Sequence, residues 1–236
     1  IRQAFRAEWK AISGDELKGG FLVATVSEQT LHKSILDLIS TRLGNIHRYF
    51  AFAEIEKFGY ILFYGIPSQN YLHSMLARLG DYLHGYRLHC GVSDMFNDIG
   101  DVQYHMYQGR KALKLGGQLV GSELLHAYGS LRTDIMLSYI CENMESKNYM
   151  HPLFRYLREE DKLNGTQYYQ TLSVYLDCMC DSAKAARSLF IHRNTLLYRI
   201  NHIEEAYNCS MDDEKFLKDI LLSHLACSFG ERLGVC

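Results

Sequence analysis

The sequence predicts an α+β protein in which a compact sheet domain precedes an all-helical module. Four segments of the first half are rich in aromatic and β-branched residues, which is typical of strands. The second half reads as a succession of amphipathic helices, and the chain has only 2 prolines to break them. Residues Asn164 and Gly165 give the strongest turn signal of this half and are expected to separate its parts.

The first half is predicted to alternate strands and helices in the order βαββαβα. The predicted strands cover residues 20–26, 49–55, 60–66 and 86–92, and the middle two form a hairpin around Lys57. The predicted helices cover residues 31–43, 72–83 and 102–115, where apolar residues recur at helical spacing. We expect this order to give a sheet with its helices on one face.

The second half is predicted to be helical throughout. Residues 122–163 form a helical connector that is interrupted at Pro152. Residues 164–236 are expected to form a bundle of about four helices, with Thr166 capping the first and residues 212–229 forming the last. The predicted domains are therefore a sheet domain at 1–121, the connector at 122–163 and a helical module at 164–236.

Residues 181–205 predict two short helices joined by a tight turn. Asp181 stands where an N-cap residue is expected, at the start of the first helix. One face of the second helix is apolar, because its apolar residues follow helical spacing: Leu196, Leu197, Ile200, Ile203 and Tyr207. This pattern is that of a helix-turn-helix, whose second helix enters the major groove of DNA. The alternative is a generic pair of amphipathic helices with a solvated polar face.

The polar face and the tip of the second helix carry groups that can bond to phosphates and base edges. Arg and Asn side chains pair bidentately with guanine and adenine, and a helix N-terminus favours phosphate. Predicted contacts to base edges come from Arg193, Asn194 and Tyr198. Predicted contacts to phosphates, or of mixed kind, come from Lys184, Arg187, His192, Thr195, Arg199 and His202. Because the net charge is −2, DNA binding must depend on this local patch.

Residues 192–199 closely resemble the C-terminal helix-turn-helix of the PucR/CdaR family of bacterial transcriptional regulators. The resemblance extends upstream through residues 164–166 and 171–176, and downstream to the last apolar helix. It implies a cytoplasmic regulator that binds double-stranded DNA and controls a catabolic operon in response to a metabolite. A single module of this size makes few contacts, so we also expect a homodimer. Phe190 departs from the general helix-turn-helix pattern, since many such turns carry glycine there.

The order of elements in the first half, with residues 90–93 and 109–113, resembles the GGDEF-like domain of the same regulators. That resemblance implies a ferredoxin-like or cyclase-like fold. Diguanylate cyclases of this fold need an acidic metal ligand after the first strand and a Gly-Gly-Asp/Glu-Glu-Phe hairpin. Here the first strand leads to Glu28 without an aspartate, and the hairpin at residues 54–59 lacks the glycine pair.

Two-metal phosphoryl chemistry needs such carboxylates to hold Mg²⁺. We therefore predict a scaffold with no catalytic residues, no metal site and no cofactor. Two alternatives stay open. One is a small-molecule or nucleotide-sensing module, which a pocket lined by Tyr64, Arg87 and His89 would favour. The other is an active nucleotide cyclase.

The remaining composition is typical of a cytoplasmic protein. The 7 cysteines are scattered, odd in number and without metal-ligand spacing, so free thiols are expected. No apolar run approaches the roughly 20 residues that span a bilayer, so no membrane partner is expected. The chain begins with Ile1 instead of methionine, and we expect that an N-terminal sensor domain, with a possible effector site, is absent from it.

Overall fold

The computed structural model describes residues 19–27, 42–119, 123–143 and 150–233. The chain forms two compact units, which divide between Met136 and Leu137. The first unit contains a five-stranded sheet and the second is helical, so the mixed α+β class is confirmed.

The sheet of the first unit has the strand order β2-β3-β1-β4-β5. Its strands are β1 (Gly20–Ser27), β2 (Phe50–Ile55), β3 (Phe58–Ile66), β4 (Cys90–Val92) and β5 (Leu125–Ala127). Neighbouring strands are antiparallel except for β4 and β5, which pair in parallel. The predicted hairpin is confirmed, and its turn lies at Glu56 and Lys57.

Two strands differ from the prediction. Helix α1 (Gln69–Tyr86) continues into the segment expected to be the fourth strand, and Arg87 ends the helix in the left-handed conformation with φ 55°. Strand β4 is therefore only 3 residues long. Strand β5 lies in the segment predicted as a helical connector. The predicted helix at residues 31–43 falls almost entirely outside the described residues, of which 42–46 are helical.

Helices pack on both faces of the sheet, so the expected arrangement on one face is wrong. Leu22 and Ala24 of β1 pack in one cluster with Met75 and other residues of α1. On the opposite face, Val23 packs in a second cluster with Met106 of helix α2 (Val102–Leu119). This is possible because seven of the eight residues of β1 are buried, whichever face their side chains point to.

Helix α2 approaches the sheet closely at three glycines. A Cβ at Gly91 would lie 2.0 Å from the carbonyl oxygen of Gly109, and a Cβ at Gly109 would lie 2.3 Å from Oγ1 of Thr25. A Cβ at Gly116 would lie 2.2 Å from the ring of His126. Only a residue without a side chain fits at these crossings, so α2 rests directly on β1 and β4.

Helix α3 (Tyr128–Asn143) spans the division between the units, and the second unit continues with five more helices. These are α4 (Leu153–Asn164), α5 (Tyr168–Asp177), α6 (Ser182–Ser188), α7 (Arg193–Tyr207) and α8 (Glu214–Leu233). Their core includes Leu157, Leu172 and Leu196, which are fully buried. The turn after Asn164 is confirmed, because Gly165 ends α4 with φ 67°.

The start of α5 differs from the prediction, in which Thr166 was the cap. The carboxylate of Asp161 accepts the backbone N–H groups of Tyr168 and Tyr169 at 2.8 and 2.9 Å. Thr166 instead donates its hydroxyl to the same carboxylate at 2.6 Å. A residue of the preceding helix thus takes over the capping role, and it ties α4 to α5.

Candidate nucleic-acid interface

Helix α6 begins at the predicted cap. Asp181 accepts the backbone N–H groups of Ala183 and Lys184, both at 2.9 Å. These hydrogen bonds, led by the one from Lys184, hold the pKa of Asp181 below its usual range. Ala185 and Ala186 are buried on the inner side of the helix, where their small side chains allow α7 to pack closely.

The turn between α6 and α7 is left-handed although it contains no glycine. Phe190 has φ 55°, and its N–H donates to the carbonyl of Arg187 at 3.2 Å. The N–H of Ile191 then donates to the carbonyl of Ala186 at 3.0 Å, which closes the turn. Leu189 and Ile191 pack against the core on either side of Phe190.

Helix α7 presents the predicted apolar face to the core. Leu196, Ile200 and Ile203 are buried there. His192 is the N-cap, and its Nδ1 accepts the backbone N–H of Asn194 at 3.2 Å. The imidazole thereby satisfies one of the free N–H groups at the start of the helix.

Seven of the nine predicted DNA-contact residues are exposed. These are Lys184, Arg187, His192, Arg193, Asn194, Thr195 and Tyr198. Nε of Arg193 donates to Oγ of Ser182 at 2.9 Å, which brings the first turn of α7 against the first turn of α6. The two helix starts therefore contribute their polar groups to one neighbourhood of the surface.

The other two predicted contact residues are half-buried and have partners in neighbouring helices. Arg199 donates to Oγ1 of Thr171 at 3.0 Å and to Oε1 of Gln167 at 3.2 Å. His202 lies 3.7 Å from a carboxylate oxygen of Glu160 and stacks on Tyr168 with 4.7 Å between ring centroids. Sequence spacing could not show these partners, which lie in α4, in α5 and at the residue before it.

Glu160 is a residue that the sequence did not single out. Its Oε2 accepts the hydroxyl of Tyr207 at 2.8 Å, across 47 residues of sequence. Burial, followed by this hydrogen bond to a carboxylate, raises the pKa of Tyr207 to about 12. Glu160 thus joins the C-terminal end of α7 to α4, and no local pattern in the sequence carries that signal.

The first unit offers a second candidate site in a different place from the expected one. Tyr64 is buried and stacks on Tyr49, Arg87 ends α1, and His89 pairs with His126 at 3.0 Å between ring nitrogens. The three residues of the predicted pocket therefore have different neighbours in the structure.

A cavity of about 400 Å³ lies instead between the ends of β1 and β3 and helix α2. Its lining consists of Ser27, Phe58, Tyr107, Arg110, Lys111, Leu113 and Lys114. The charged residues of this lining are all cationic. The guanidinium carbon of Arg110 lies 5.9 Å from the centre of the Phe58 ring, and the ammonium of Lys111 lies 5.5 Å from that of Tyr107. Such a lining suits an organic anion.

The four described ranges contain neither a cluster of metal ligands nor a membrane-spanning helix. No group of three or more His, Cys, Asp or Glu side chains there could hold a metal ion. Glu54 and Glu56 are exposed at the β2–β3 hairpin, and Glu28 lies outside the described residues. In the same ranges, no helix has both the length and the apolar character that crossing a bilayer requires.

Residues 168–226 match the PucR C-terminal helix-turn-helix domain. The match runs from the start of α5 into α8 and includes the whole of α6 and α7. The predicted family is thereby confirmed for the DNA-binding module, which is a PucR-type helix-turn-helix.

Two curated relatives of this chain come from Bacillus subtilis (strain 168). The proline-responsive transcriptional activator PutR is 26% identical over 53% of this chain and 31% of its own length. The purine catabolism regulatory protein is 25% identical over 52% of this chain and 23% of its own length. The matched part of the chain thus spans less than a third of the length of either relative.

A solved structure also resembles this chain at low similarity. It is the regulator of polyketide synthase expression from Bifidobacterium adolescentis, at 13% identity and a TM-score of 0.37. The match covers 91% of this chain and 82% of that one. A resemblance at this level carries no argument about fold or function.

Proposed function

We propose that this chain is a sequence-specific DNA-binding regulator of transcription, with α7 as the recognition helix in the major groove. The observation that carries the proposal is the geometry of α6 and α7. Both helices are capped, the apolar face of α7 is buried, and the polar residues at its start are exposed. The names of the two curated relatives support control of a catabolic operon in response to a metabolite.

The charges of this segment favour a polyanion. Between Ser182 and Ile203 the formally charged residues are Lys184, Arg187, Arg193 and Arg199, and the next acidic residue is Glu204. We assign phosphate contacts to Lys184, Arg187, His192 and Thr195, because all four are exposed. Arg199 and His202 can contact phosphate only if their side chains leave their present partners, which lie in α4, in α5 or at the residue before α5.

Base contacts are assigned to Arg193, Asn194 and Tyr198, which are exposed in the first two turns of α7. The bond from Arg193 to Ser182 uses Nε, so the two Nη groups can still donate to O6 and N7 of guanine. We further propose a homodimer that binds two half-sites about 34 Å apart or a multiple of that distance, because one such module offers only a few contacts.

The division between base and phosphate contacts can be tested with two substitutions. Arg193→Ala should cost about 1–3 kcal/mol of binding free energy and relax the base preference at one position of each half-site. Lys184→Ala should weaken binding to all sequences alike and reduce the slope of log K against log[salt] by about one.

The preferred site is first selected from random duplexes, and both variants are then titrated with it at several salt concentrations. If both variants lose affinity with an unchanged sequence preference, the proposed division is wrong. If the unsubstituted protein selects no sequence at all, the proposed function itself is wrong.

A second candidate function, the binding of a small anionic effector, is favoured by the cavity beside α2. We infer in addition that the first unit performs no phosphoryl transfer, since the hairpin lacks the carboxylate set that two Mg²⁺ ions need. The names of the relatives point to regulators, which supports this inference.

One experiment with GTP and Mg²⁺ tests both statements about the first unit. GTP is a suitable probe because it has anionic phosphates and a planar base, whereas the cavity lining has cationic and aromatic side chains. It should raise the unfolding temperature of the protein without releasing pyrophosphate. Arg110→Gln should abolish the rise, whereas Lys57→Gln, on the exposed hairpin turn, should keep it. An absent rise argues against the effector site. Sustained turnover that Glu54→Gln abolishes would establish a cyclase.

A further inference from the structure

Phe190 is the most exposed of the large apolar side chains in the described residues, with 96% of its surface accessible to solvent. It also has φ 55°, in the left-handed region that is unfavourable for a residue with a Cβ atom. Glycine would avoid both the exposed ring and the strained backbone. The side chain therefore gains nothing from the folded domain alone.

The backbone around Phe190 is fixed. Its own N–H and that of Ile191 both donate to carbonyls of α6, so the turn holds its shape through main-chain bonds. Leu189 and Ile191 supply the apolar contacts with the core on either side. The ring of Phe190 has no part in either role, and the fixed backbone keeps it on the surface.

Exposed basic residues flank this ring along the chain. Arg187 precedes Phe190 by three residues, and His192 and Arg193 follow it by two and three. The turn thus connects the cationic side of α6 with the tip of α7. Backbone strain and local rule-breaking of this kind concentrate at functional sites.

We propose that Phe190 is a DNA-contact residue, whose ring packs against apolar groups of the duplex at the edge of the groove that α7 enters. The flanking side chains of Arg187 and Arg193 are cationic and complement the negative charge of DNA. A ring at this place can contact thymine methyl groups or deoxyribose. This proposal rests on the proposed function of α6 and α7. It adds an apolar contact to a surface that otherwise binds through charges and hydrogen bonds.

The test compares Phe190→Gly with a matched control, Met179→Gly. Met179 is also left-handed, with φ 53°, and is 76% exposed, but it lies in the turn before α6. Neither change should lower the unfolding temperature, because glycine relieves the backbone strain at both sites. Phe190→Gly should nevertheless weaken binding to the selected duplex about 5- to 10-fold. Met179→Gly should leave the affinity within about twofold of that of the unsubstituted protein, the usual effect of a neutral surface change. Phe190→Tyr keeps an aromatic ring at this place and should therefore keep most of the affinity that Phe190→Gly loses.

The outcomes separate this proposal from the one on which it rests. Specific binding by the unsubstituted protein that Phe190→Gly leaves unchanged overturns the role of Phe190 and preserves the proposed function. An equal loss in both glycine variants also overturns it, because turn flexibility would then be the cause. If the predicted loss occurs, duplexes with uracil in place of thymine distinguish the two kinds of contact. If the ring contacts a thymine methyl group, replacing that one thymine with uracil should weaken binding. If the ring contacts deoxyribose, the replacement should leave the affinity unchanged.

Discussion

Gly91→Ala is expected to destabilise the first unit by about 3 kcal/mol or more, the upper range for an overpacked core. The added methyl carbon would lie 2.0 Å from the carbonyl oxygen of Gly109 and 2.4 Å from the backbone nitrogen of Leu113. Both atoms belong to the main chain of α2, so no side chain can rotate away. The helix has to move off β4, and the packing of the α2 face of the sheet is lost with that movement.

The measurement is denaturant unfolding followed by far-ultraviolet circular dichroism. Gly117→Ala is the matched control, because Gly117 lies in the same helix with no atom within 4 Å of its added Cβ. It should stabilise α2 by up to about 1 kcal/mol through helix propensity. Gly109→Ala should fall between the two, since the nearest atom, at 2.3 Å, is the Thr25 hydroxyl. Equal stability of the Gly91 and Gly117 variants would show that α2 does not pack on β4 as described.

The helix-turn-helix could be predicted because its signals are local. The spacing of Leu196, Ile200 and Ile203 fixes one face of α7, and Asp181 marks the start of α6. The left-handed turn at Phe190 was not predictable from the residue type, since an aromatic residue rarely adopts it. The partners of Arg199 and His202 could not be predicted either, because they depend on how α4 and α5 pack beside α7.

The sheet was predicted in outline, and its errors have a common cause. Strands β4 and β5 have 3 residues each, which is too short for a period of two to be recognised. Their parallel pairing is decided by contacts over more than thirty residues of sequence, such as that of Cys90 with Leu125. The face of the sheet on which α2 packs likewise depends on the close approach of the helix at Gly91. The apolar spacing within α2 gives no indication of that approach.

Acidification is expected to destabilise the first unit through three buried histidines, His47, His105 and His126. Burial is the largest cause that lowers the pKa of each, below the value of about 6.5 for a free histidine. For His126, the nearby His89 lowers the pKa further. For His105, the hydrogen bond with Gln108 and the charges of Asp101 and Asp94 act in the opposite direction and are smaller.

The sign of the effect follows from proton counting. Between the lowered folded-state pKa and about pH 6.5, the unfolded chain binds more protons than the folded one, so stability falls as pH falls. Each histidine contributes at most about 1.4 kcal/mol per pH unit within that interval, and nothing above it. Below the folded-state pKa values both states are protonated, and the loss levels off.

His47→Gln isolates one of these contributions. His47 bonds the hydroxyl of Tyr71 at 2.9 Å and the carbonyl of Tyr64 at 2.7 Å, so the variant should be less stable at about pH 7.5. Its free energy of unfolding should nevertheless depend less steeply on pH just below about 6.5, because one proton-binding group has been removed from the unfolded chain. His73→Gln, at an exposed position of α1, is the control and should leave the slope unchanged. Denaturant unfolding at several pH values measures all three proteins. If His47→Gln shows the slope of the unsubstituted protein, then protonation of His47 does not oppose folding and its burial is not the source of acid sensitivity.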